Sequence, residues 1–228
     1  MCGRYVNSLD IDEVLEAFQA IKESYDARIP PSYNIAPTQL APVVVGPLDT
    51  APERRLVTAR WGLVPSWAKD PSIGNRLFNA RSETAAEKPS FRSAFAKRRC
   101  LVPANGYYEW QKRETGKQPY FIHPADDGVL AFAGLWETWG QGEERVASFS
   151  ILTTAARGDL ARIHDRQPVM LRPDERDAWM DADATREDLL AVIASPEPAM
   201  VARPVGAAVG NVRNNGPELI EEVADPGA

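Results

Sequence analysis

Apolar positions near the start of the chain recur with the spacing of one face of an α-helix. The residues that share this i, i+3, i+4, i+7 pattern are Ile11, Val14, Leu15, Phe18 and Ile21. Asp10 stands directly before them and is a residue type that caps helix N-termini. The pattern predicts an amphipathic helix that starts at Ile11 and extends through Ile21.

Most other apolar positions fall in short runs that are rich in β-branched and aromatic residues and bounded by Pro, Gly or Asp. This composition is typical of β-strands. The predicted strands are PVVVG (42–46), RRLVTARW (54–61), RCLVP (99–103), QPYFIH (118–123), VLAFAGLW (129–136), VASFSILTT (146–154) and PVML (168–171). The segment RIPPSYNIAPTQ (28–39) is rich in turn formers, so we predict a loop there.

Two more helices are predicted late in the chain. One runs from Pro173, a residue that suits a first helical turn, through Trp179. The other starts at Thr185, with Asp188 as its capping-box partner. We find no repeat and no linker. We therefore predict one α+β domain over residues 1–228, with a strongly curved antiparallel, barrel-like sheet, flanking helices and a tail frayed from about residue 222.

Composition narrows the class of protein. The chain has 228 residues, 44% of them hydrophobic, and only two cysteines, which is too few for a disulfide scaffold. Its Cys and His residues lack the spacing of a zinc site, so we predict no metal and no cofactor. No apolar run approaches the roughly 20 residues that span a bilayer, and the first residues do not resemble a signal peptide. We expect a cytoplasmic protein with no membrane partner.

Charge is unevenly distributed along the chain. The formal net charge is −6, which argues against broad affinity for nucleic acid. Residues 60–117, however, include twelve basic and five acidic residues and carry +7. This distribution is compatible with a phosphate-binding face or with ordinary solvated lysines and arginines.

Cys2 has two interpretations. If Met1 is removed, one residue carries both a thiol and an α-amine, whose usual pKa of about 7.7–8.0 leaves a neutral fraction at physiological pH. A neutral amine attacks aldehydes to give imines, and the neighbouring thiol can then close a five-membered thiazolidine. Alternatively, Cys2 is a small buried apolar residue.

Three further segments contain candidate polar residues. Asn79 and Arg81 are two apart and would face the same side of an extended segment. Glu109 lies among aromatic residues, so it is either a desolvated general acid/base or a carboxylate on the wet face of a strand. His164 lies between Asp165 and Arg166 and is either a proton shuttle or a structural histidine.

Eight segments together resemble one known family. They are MCGRY, YNIAPTQ, WGLVPSWA, NARSET, RRCLVPANGYYEW, ILTTAA, IHDRQPVML and VGNVRNNGPELI. In this order they resemble the SRAP family, the SOS response-associated peptidases, from residue 2 to about residue 220. The resemblance implies a single-domain fold with a barrel-like β core.

The resemblance also implies a function. SRAP proteins recognise abasic sites in single-stranded DNA, link to them through an N-terminal cysteine and are thought to remove their own Met1. The residues that match catalytic positions are Cys2, Asn79, Glu109 and His164. The residues that match DNA-binding positions are Arg4, Asn34, Trp67, Arg81 and Thr153, with Thr153 and Thr154 interchangeable in register.

The expected partner is therefore single-stranded DNA that contains abasic sites. We expect a monomer that associates with the nucleoid when bound to DNA. Two other functions fit the residues alone. One is an N-terminal-nucleophile cysteine hydrolase, and the other is a non-catalytic reader of modified bases.

Overall fold

A computed structural model describes residues 2–22, 29–46 and 53–225. The helices are α1 (Ile11–Phe18), α2 (Ser82–Ala85), α3 (Arg92–Lys97), α4 (Arg176–Met180) and α5 (Arg186–Ala194). The strands are β1 (Tyr5–Asn7), β2 (Ala20–Lys22), β3 (Ser32–Ile35), β4 (Leu40–Val45), β5 (Arg54–Trp61), β6 (Asn79–Arg81), β7 (Arg99–Ala104), β8 (Gly106–Lys112), β9 (Lys117–Pro124), β10 (Leu130–Trp139), β11 (Val146–Ala155), β12 (Arg166–Pro168), β13 (Met170–Leu171) and β14 (Met200–Pro204). No described helix has the length and apolar character that a membrane span requires.

Five strands close into a barrel in the order β4, β5, β11, β10 and β7. Four of the five pairings are antiparallel. The ring closes through a short parallel pairing, in which Phe149 of β11 lies opposite Trp61 of β5 and the two rings stack with centroids 6.3 Å apart. The predicted α+β fold with a barrel-like core is therefore confirmed, with one parallel seam that the sequence pattern did not indicate.

A second sheet, in the order β14, β9, β8, β1 and β3, packs one face against the same aromatic core. Tyr5 of β1 makes edge-on contacts with Trp61 and Phe132, with ring centroids 5.2 and 6.0 Å apart. Cys2, which precedes β1, belongs to the same buried cluster. The second sheet thus brings the start of the chain to the barrel.

The first predicted helix is too long by one turn. Asp10 caps it as expected, accepting from the backbone N–H of Asp12. The helix ends at Phe18 because Gln19 adopts a left-handed conformation with φ 50°. Ile21 instead lies on β2 and is 51% exposed, so its assignment to the buried stripe was wrong.

Two other predictions need correction. The segment predicted as a loop over 28–39 contains β3, which pairs with β1; Arg28 lies outside the described residues. The predicted strand 168–171 is split between β12, which pairs with β11, and β13, which pairs with β10. In both cases a long-range pairing sets the backbone, and such pairings cannot be seen in a local pattern.

The late helices form where predicted. A 3-10 turn from Pro173 leads into α4, and Thr185 and Asp188 form a capping box at the start of α5. The chain end, expected to fray from about residue 222, is held as far as Asp225, which accepts from Arg113 at 2.5 Å and from the Tyr120 hydroxyl at 2.6 Å. Residues 226–228 lie outside the described part of the chain.

Candidate active site

Cys2 is held at the barrel by Asn79. The side-chain amide of Asn79 donates to the backbone carbonyl of Cys2 at 2.6 Å. Asn79 reaches this position because β6 pairs in parallel with β11, which places it opposite Ile151 in the barrel wall. Its Oδ1 atom is buried and has no hydrogen-bond partner among the described residues, so an acceptor is available beside Cys2.

Glu109 approaches Cys2 from the second sheet. Residues two apart on a strand share a face, so Glu109 lies on the side of β8 that carries Tyr107 into the buried cluster. Only 3% of Glu109 is exposed, and this burial raises the pKa of its carboxyl, opposed in part by the charge of His164. The alternative of a carboxylate on a wet strand face is therefore wrong.

His164 faces Glu109. Its Nε2 lies 4.0 Å from Oε2 of Glu109, and its side chain is 28% exposed. The backbone N–H of Arg166 donates to Nδ1 at 2.9 Å, which in a neutral imidazole leaves the proton on Nε2, towards Glu109. Asp165 also lies 3.0 Å from Nδ1, but its side chain is 87% exposed. The fixed amide of Arg166 therefore favours the neutral tautomer with its proton on Nε2, and Asp165 accepts only when Nδ1 carries a proton.

The Cys2 thiol is in an environment that keeps it protonated. The residue is fully buried, and burial together with the nearby charge of Glu109 raises the pKa of the thiol. The thiolate is the nucleophilic form of cysteine. A protonated thiol is a poor first nucleophile, so any reaction that starts at Cys2 is favoured at the amine.

Two of the expected DNA contacts are exposed. Trp67 is 58% exposed, with its indole N–H directed to the carbonyl of Pro89 at 3.4 Å. Arg81 is exposed at the end of β6, two residues beyond Asn79 and opposite Thr153 of β11. Arg81 therefore stands on the same edge as the residue that holds Cys2.

Arg4 and Asn34 have a different environment. Asn34 is only 2% exposed, and its side-chain amide donates to the carbonyls of Val209, Asn211 and Asn214. Its Oδ1 accepts from Arg4 at 3.1 Å, and Arg4 also donates to the carbonyl of Val209 at 2.8 Å. Both side chains hold the loop 209–214 in place, so the polar atoms of Asn34 are engaged within the protein, and its DNA-binding role stays a prediction.

The neighbouring threonines differ in exposure. Thr153 is fully buried and has the same orientation along β11 as Ile151, which lines the buried cluster with Cys2. Thr154 is partly exposed. If one of the two touches DNA at the surface, the exposure favours Thr154, because Thr153 is fully buried.

The basic segment 60–117 has two kinds of members. Arg99 is buried and donates to backbone carbonyls, while Arg98 and Arg113 pair with Glu137 and Asp225. Arg60 is partly exposed and donates to the side chain of Asn75 at 2.5 Å. The exposed members are Lys69, Arg76, Arg81, Lys88, Arg92, Lys97, Lys112 and Lys117. Only this exposed group is available for phosphate.

Sequence reasoning missed one arginine near the site. Arg166 donates to both carboxylate oxygens of Glu83, at 2.5 and 3.0 Å, and to the backbone carbonyl of Thr153 at 2.6 Å. It thereby joins α2, β11 and β12 beside His164. Its position two residues after His164 was the only signal in the sequence.

Comparisons with known proteins agree on one family. A sequence model described as SOS response associated peptidase (SRAP) matches residues 1–212. The abasic site processing protein YoqW of Bacillus subtilis (strain 168) is 37% identical over 225 residues, which cover 97% of this chain and 99% of that protein. The abasic site processing protein HMCES of Gallus gallus is 34% identical over 260 residues, covering 96% of this chain and 77% of that protein.

One solved structure extends the agreement to the fold. A crystal structure of a protein from Bacteroides thetaiotaomicron has a TM-score of 0.85, covers 98% of this chain and 100% of its own, and is 23% identical. This similarity shows that the barrel with its second sheet is a shared fold.

Proposed function

The chain belongs to the SRAP family, and from that premise we propose that it processes abasic sites in single-stranded DNA and links to them covalently through Cys2. Relatives described as abasic site processing proteins align with at least 96% of the chain. A ring-opened abasic sugar presents an aldehyde at C1′, which is the electrophile that an N-terminal cysteine suits.

The observation that carries this proposal is that Asn79 and Glu109 meet at Cys2, with His164 facing Glu109. Asn79 donates to the Cys2 carbonyl at 2.6 Å, and His164 Nε2 lies 4.0 Å from the Glu109 carboxylate. Asn79 lies on β6, Glu109 lies on β8 and His164 precedes β12. Each of the three side chains is suited to reactions of an amine. The amide can orient an amine without titrating, and the two titratable groups can move protons.

The proposed reaction begins with hydrolysis of the Met1–Cys2 peptide bond, which releases the α-amine. The neutral amine attacks the C1′ aldehyde, and the carbinolamine loses water to give an imine. Glu109, whose raised pKa favours the protonated form, supplies the proton to the departing oxygen. The thiol then adds across the C=N bond, forming a C–S bond and leaving its proton on nitrogen.

The environment of the thiol bears on the competing hydrolase hypothesis. A hydrolase that attacks amides through Cys2 needs a thiolate, and burial raises the pKa of this thiol. The amine-first route has no such requirement, because the thiol attacks last and as part of the same residue.

The exposed residues are proposed to hold the DNA. Arg81 can bind a phosphate through its planar guanidinium. Trp67 can stack on a base, a contact worth about 1–3 kcal/mol. The acidic chain as a whole would bind undamaged duplex weakly, so recognition depends on the chemistry at the site.

The test is mass spectrometry of the protein after incubation with a single-stranded oligonucleotide that contains one abasic site. We expect a chain without Met1 whose mass rises by that of the oligonucleotide minus one water. Cys2→Ser keeps the amine and removes ring closure, so it should give only an imine that hydrolyses. A parent protein that binds this DNA without any covalent product would instead support a non-catalytic reader.

A further inference from the structure

Two buried tyrosines share the hydrophobic cluster of Cys2. Tyr5 of β1 and Tyr107 of β8 are direct cross-strand partners, so their side chains project to the same face. Both rings contact Phe132 edge-on, each with centroids 6.0 Å apart. Both residues belong to the buried cluster that contains Cys2, and neither is more than 1% exposed.

The Tyr5 hydroxyl is unusual within this cluster. It is buried and has no hydrogen-bond partner among residues 2–22, 29–46 and 53–225. Leaving a buried donor unsatisfied costs about 1–3 kcal/mol, so such groups call for an explanation. The ring has no freedom to swing out to solvent, because Trp61 and Phe132 pack against it.

Both phenols share the buried cluster of Cys2, and the pKa of each responds first to burial and then to Cys2. Burial raises the pKa of Tyr5, and the charges of Cys2 and then Cys100 raise it further. Burial likewise raises the pKa of Tyr107, with Cys2 and then Glu109 contributing. Both phenols therefore remain protonated and can donate hydrogen bonds at physiological pH.

We propose that Tyr5 and Tyr107 are positioning residues for the Cys2 sulfur, and that Tyr5 supplies the main contact. This inference rests on the proposed crosslinking function and deepens it. It concerns the second step, in which the imine becomes a thiazolidine.

The step balances without any further reactant. The S–H bond breaks, a C–S bond forms at C1′, the C=N π bond becomes an N–H bond, and no oxidant is needed. Before the step, the thiol is directed to the backbone carbonyl of Arg4 at 3.9 Å, and the Tyr5 hydroxyl has no partner among the described residues. After it, the Tyr5 hydroxyl can donate to the thioether sulfur, so the ring-closed product gains a partner that the imine lacks.

The variants Tyr5→Phe and Tyr107→Phe test this inference. Each removes one hydroxyl and keeps the ring, so the aromatic packing is retained. Tyr108→Phe is the matched control, because the Tyr108 hydroxyl is engaged elsewhere, donating to the carbonyl of Tyr33 at 2.8 Å. Thermal unfolding checks folding, and Tyr5→Phe should be at least as stable as the parent because it removes an unsatisfied buried group.

The measurement separates imine from thiazolidine. Sodium borohydride reduces the C=N bond to a permanent linkage and leaves a closed ring intact, so it is added at intervals after mixing with the abasic single strand. One hydrogen bond shifts an equilibrium by about 2- to 10-fold. We expect Tyr5→Phe to raise the ratio of borohydride-trapped imine to thiazolidine by that factor, with Tyr107→Phe showing a smaller rise.

The outcomes are distinguishable. If the parent crosslinks and both variants keep its imine-to-thiazolidine ratio, the inference is overturned while the proposed function stands. The inference is also overturned if Tyr108→Phe shifts the ratio as much as Tyr5→Phe does. If the parent forms no crosslink at all, the proposed function fails, and the role assigned to the two tyrosines fails with it.

Discussion

The residues around Cys2 and the exposed candidates Arg81 and Trp67 lie in two different environments. Cys2 and Glu109 are buried and have raised pKa values, and Asn79 is partly buried and hydrogen-bonded to Cys2. Arg81 and Trp67 are exposed to solvent. Burial strengthens electrostatic effects and exposure screens them.

Substitutions in the two groups should therefore have different effects. Changes among the buried residues should alter the rate of the chemistry and the stability of the fold. Changes among the exposed residues should alter affinity and its salt dependence. Family resemblance matches Arg4 and Asn34 to DNA-binding positions. Their hydrogen bonds within the protein place them with the buried residues in this comparison.

The largest expected effect comes from blocking the amine of Cys2. A chain with a retained Gly-Ser extension before Cys2 has an amide where the free amine is needed, so crosslinking should fall to background. Binding to the abasic single strand should persist, because the exposed residues are unchanged. Gel electrophoresis under denaturing conditions measures the crosslink, and intact mass confirms that the extension remains. A crosslink on the extended chain would contradict the amine-first route.

Glu109→Gln should be the next largest effect. Loss of a general acid typically slows a reaction by about 10²–10⁴-fold, so crosslink formation should slow by that order in a time course. The exposed Glu143→Gln, in a short turn after β10, is the matched control and should react at the parent's rate. Equal rates for Glu109→Gln and the parent would remove Glu109 from the chemistry.

The same variant has a second expected consequence, for stability. The raised pKa means that folded Glu109 keeps its proton at pH values where the unfolded chain, with a pKa of about 4.3, has lost it. The parent's stability should therefore fall as pH rises from about 4.3 to the raised pKa. Glu109→Gln has no carboxyl to ionise, so it does not lose stability in this way. The difference in melting temperature, variant minus parent, should therefore be larger at neutral pH than at pH 4.

His164→Gln separates formation from reversal. Because the neutral ring presents its Nε2 proton towards Glu109, His164 can return a proton to the sugar when the ring reopens. We expect the crosslink to form but to disappear more slowly, again by about 10²-fold or more. Release is followed after transfer to an excess of unlabelled abasic DNA. Formation and release both at the parent's rates would make the histidine structural.

Part of this arrangement was predictable from sequence and part was not. The caps at Asp10 and Thr185 are local, and the helices start where those residues indicate. The end of α1 was misplaced because the left-handed turn at Gln19 breaks an apolar period that continues to Ile21. The parallel seam of β5 and β11 joins residues about 90 apart in sequence, and no local pattern reports such a pairing.

The site shows the same division. Nothing in their spacing indicates that Cys2, Asn79, Glu109 and His164 converge, and only resemblance to a family grouped them. The alternation of side chains along β8 was compatible with either a solvent-exposed or a buried Glu109. Its burial depends on the packing of the second sheet against the barrel. Likewise, the sequence could not show that the amide of Asn34 is occupied by the loop 209–214.

Arg81→Ala should have a smaller effect, confined to binding. Loss of one phosphate contact should weaken affinity several-fold on every sequence and reduce the slope of log K against log salt by about 0.7 on single strands. The exposed Arg145→Ala, which removes a charge at the start of β11, is the matched control. Fluorescence anisotropy at several salt concentrations gives both numbers. If Arg81→Ala binds DNA as the parent does but no longer crosslinks, Arg81 takes part in the reaction and does not only bind phosphate.

The smallest effect on DNA binding is expected for Asn34→Ala, which tests the grouping of that residue. The change removes an amide that donates to the carbonyls of Val209, Asn211 and Asn214 and accepts from Arg4. Buried partners left unsatisfied cost about 1–3 kcal/mol, so the melting temperature should fall by several degrees. The salt slope should stay at the parent's value, because no phosphate contact is lost. If the slope instead falls by about 0.7 while the melting temperature holds, Asn34 contacts DNA directly and the division by burial fails at this residue.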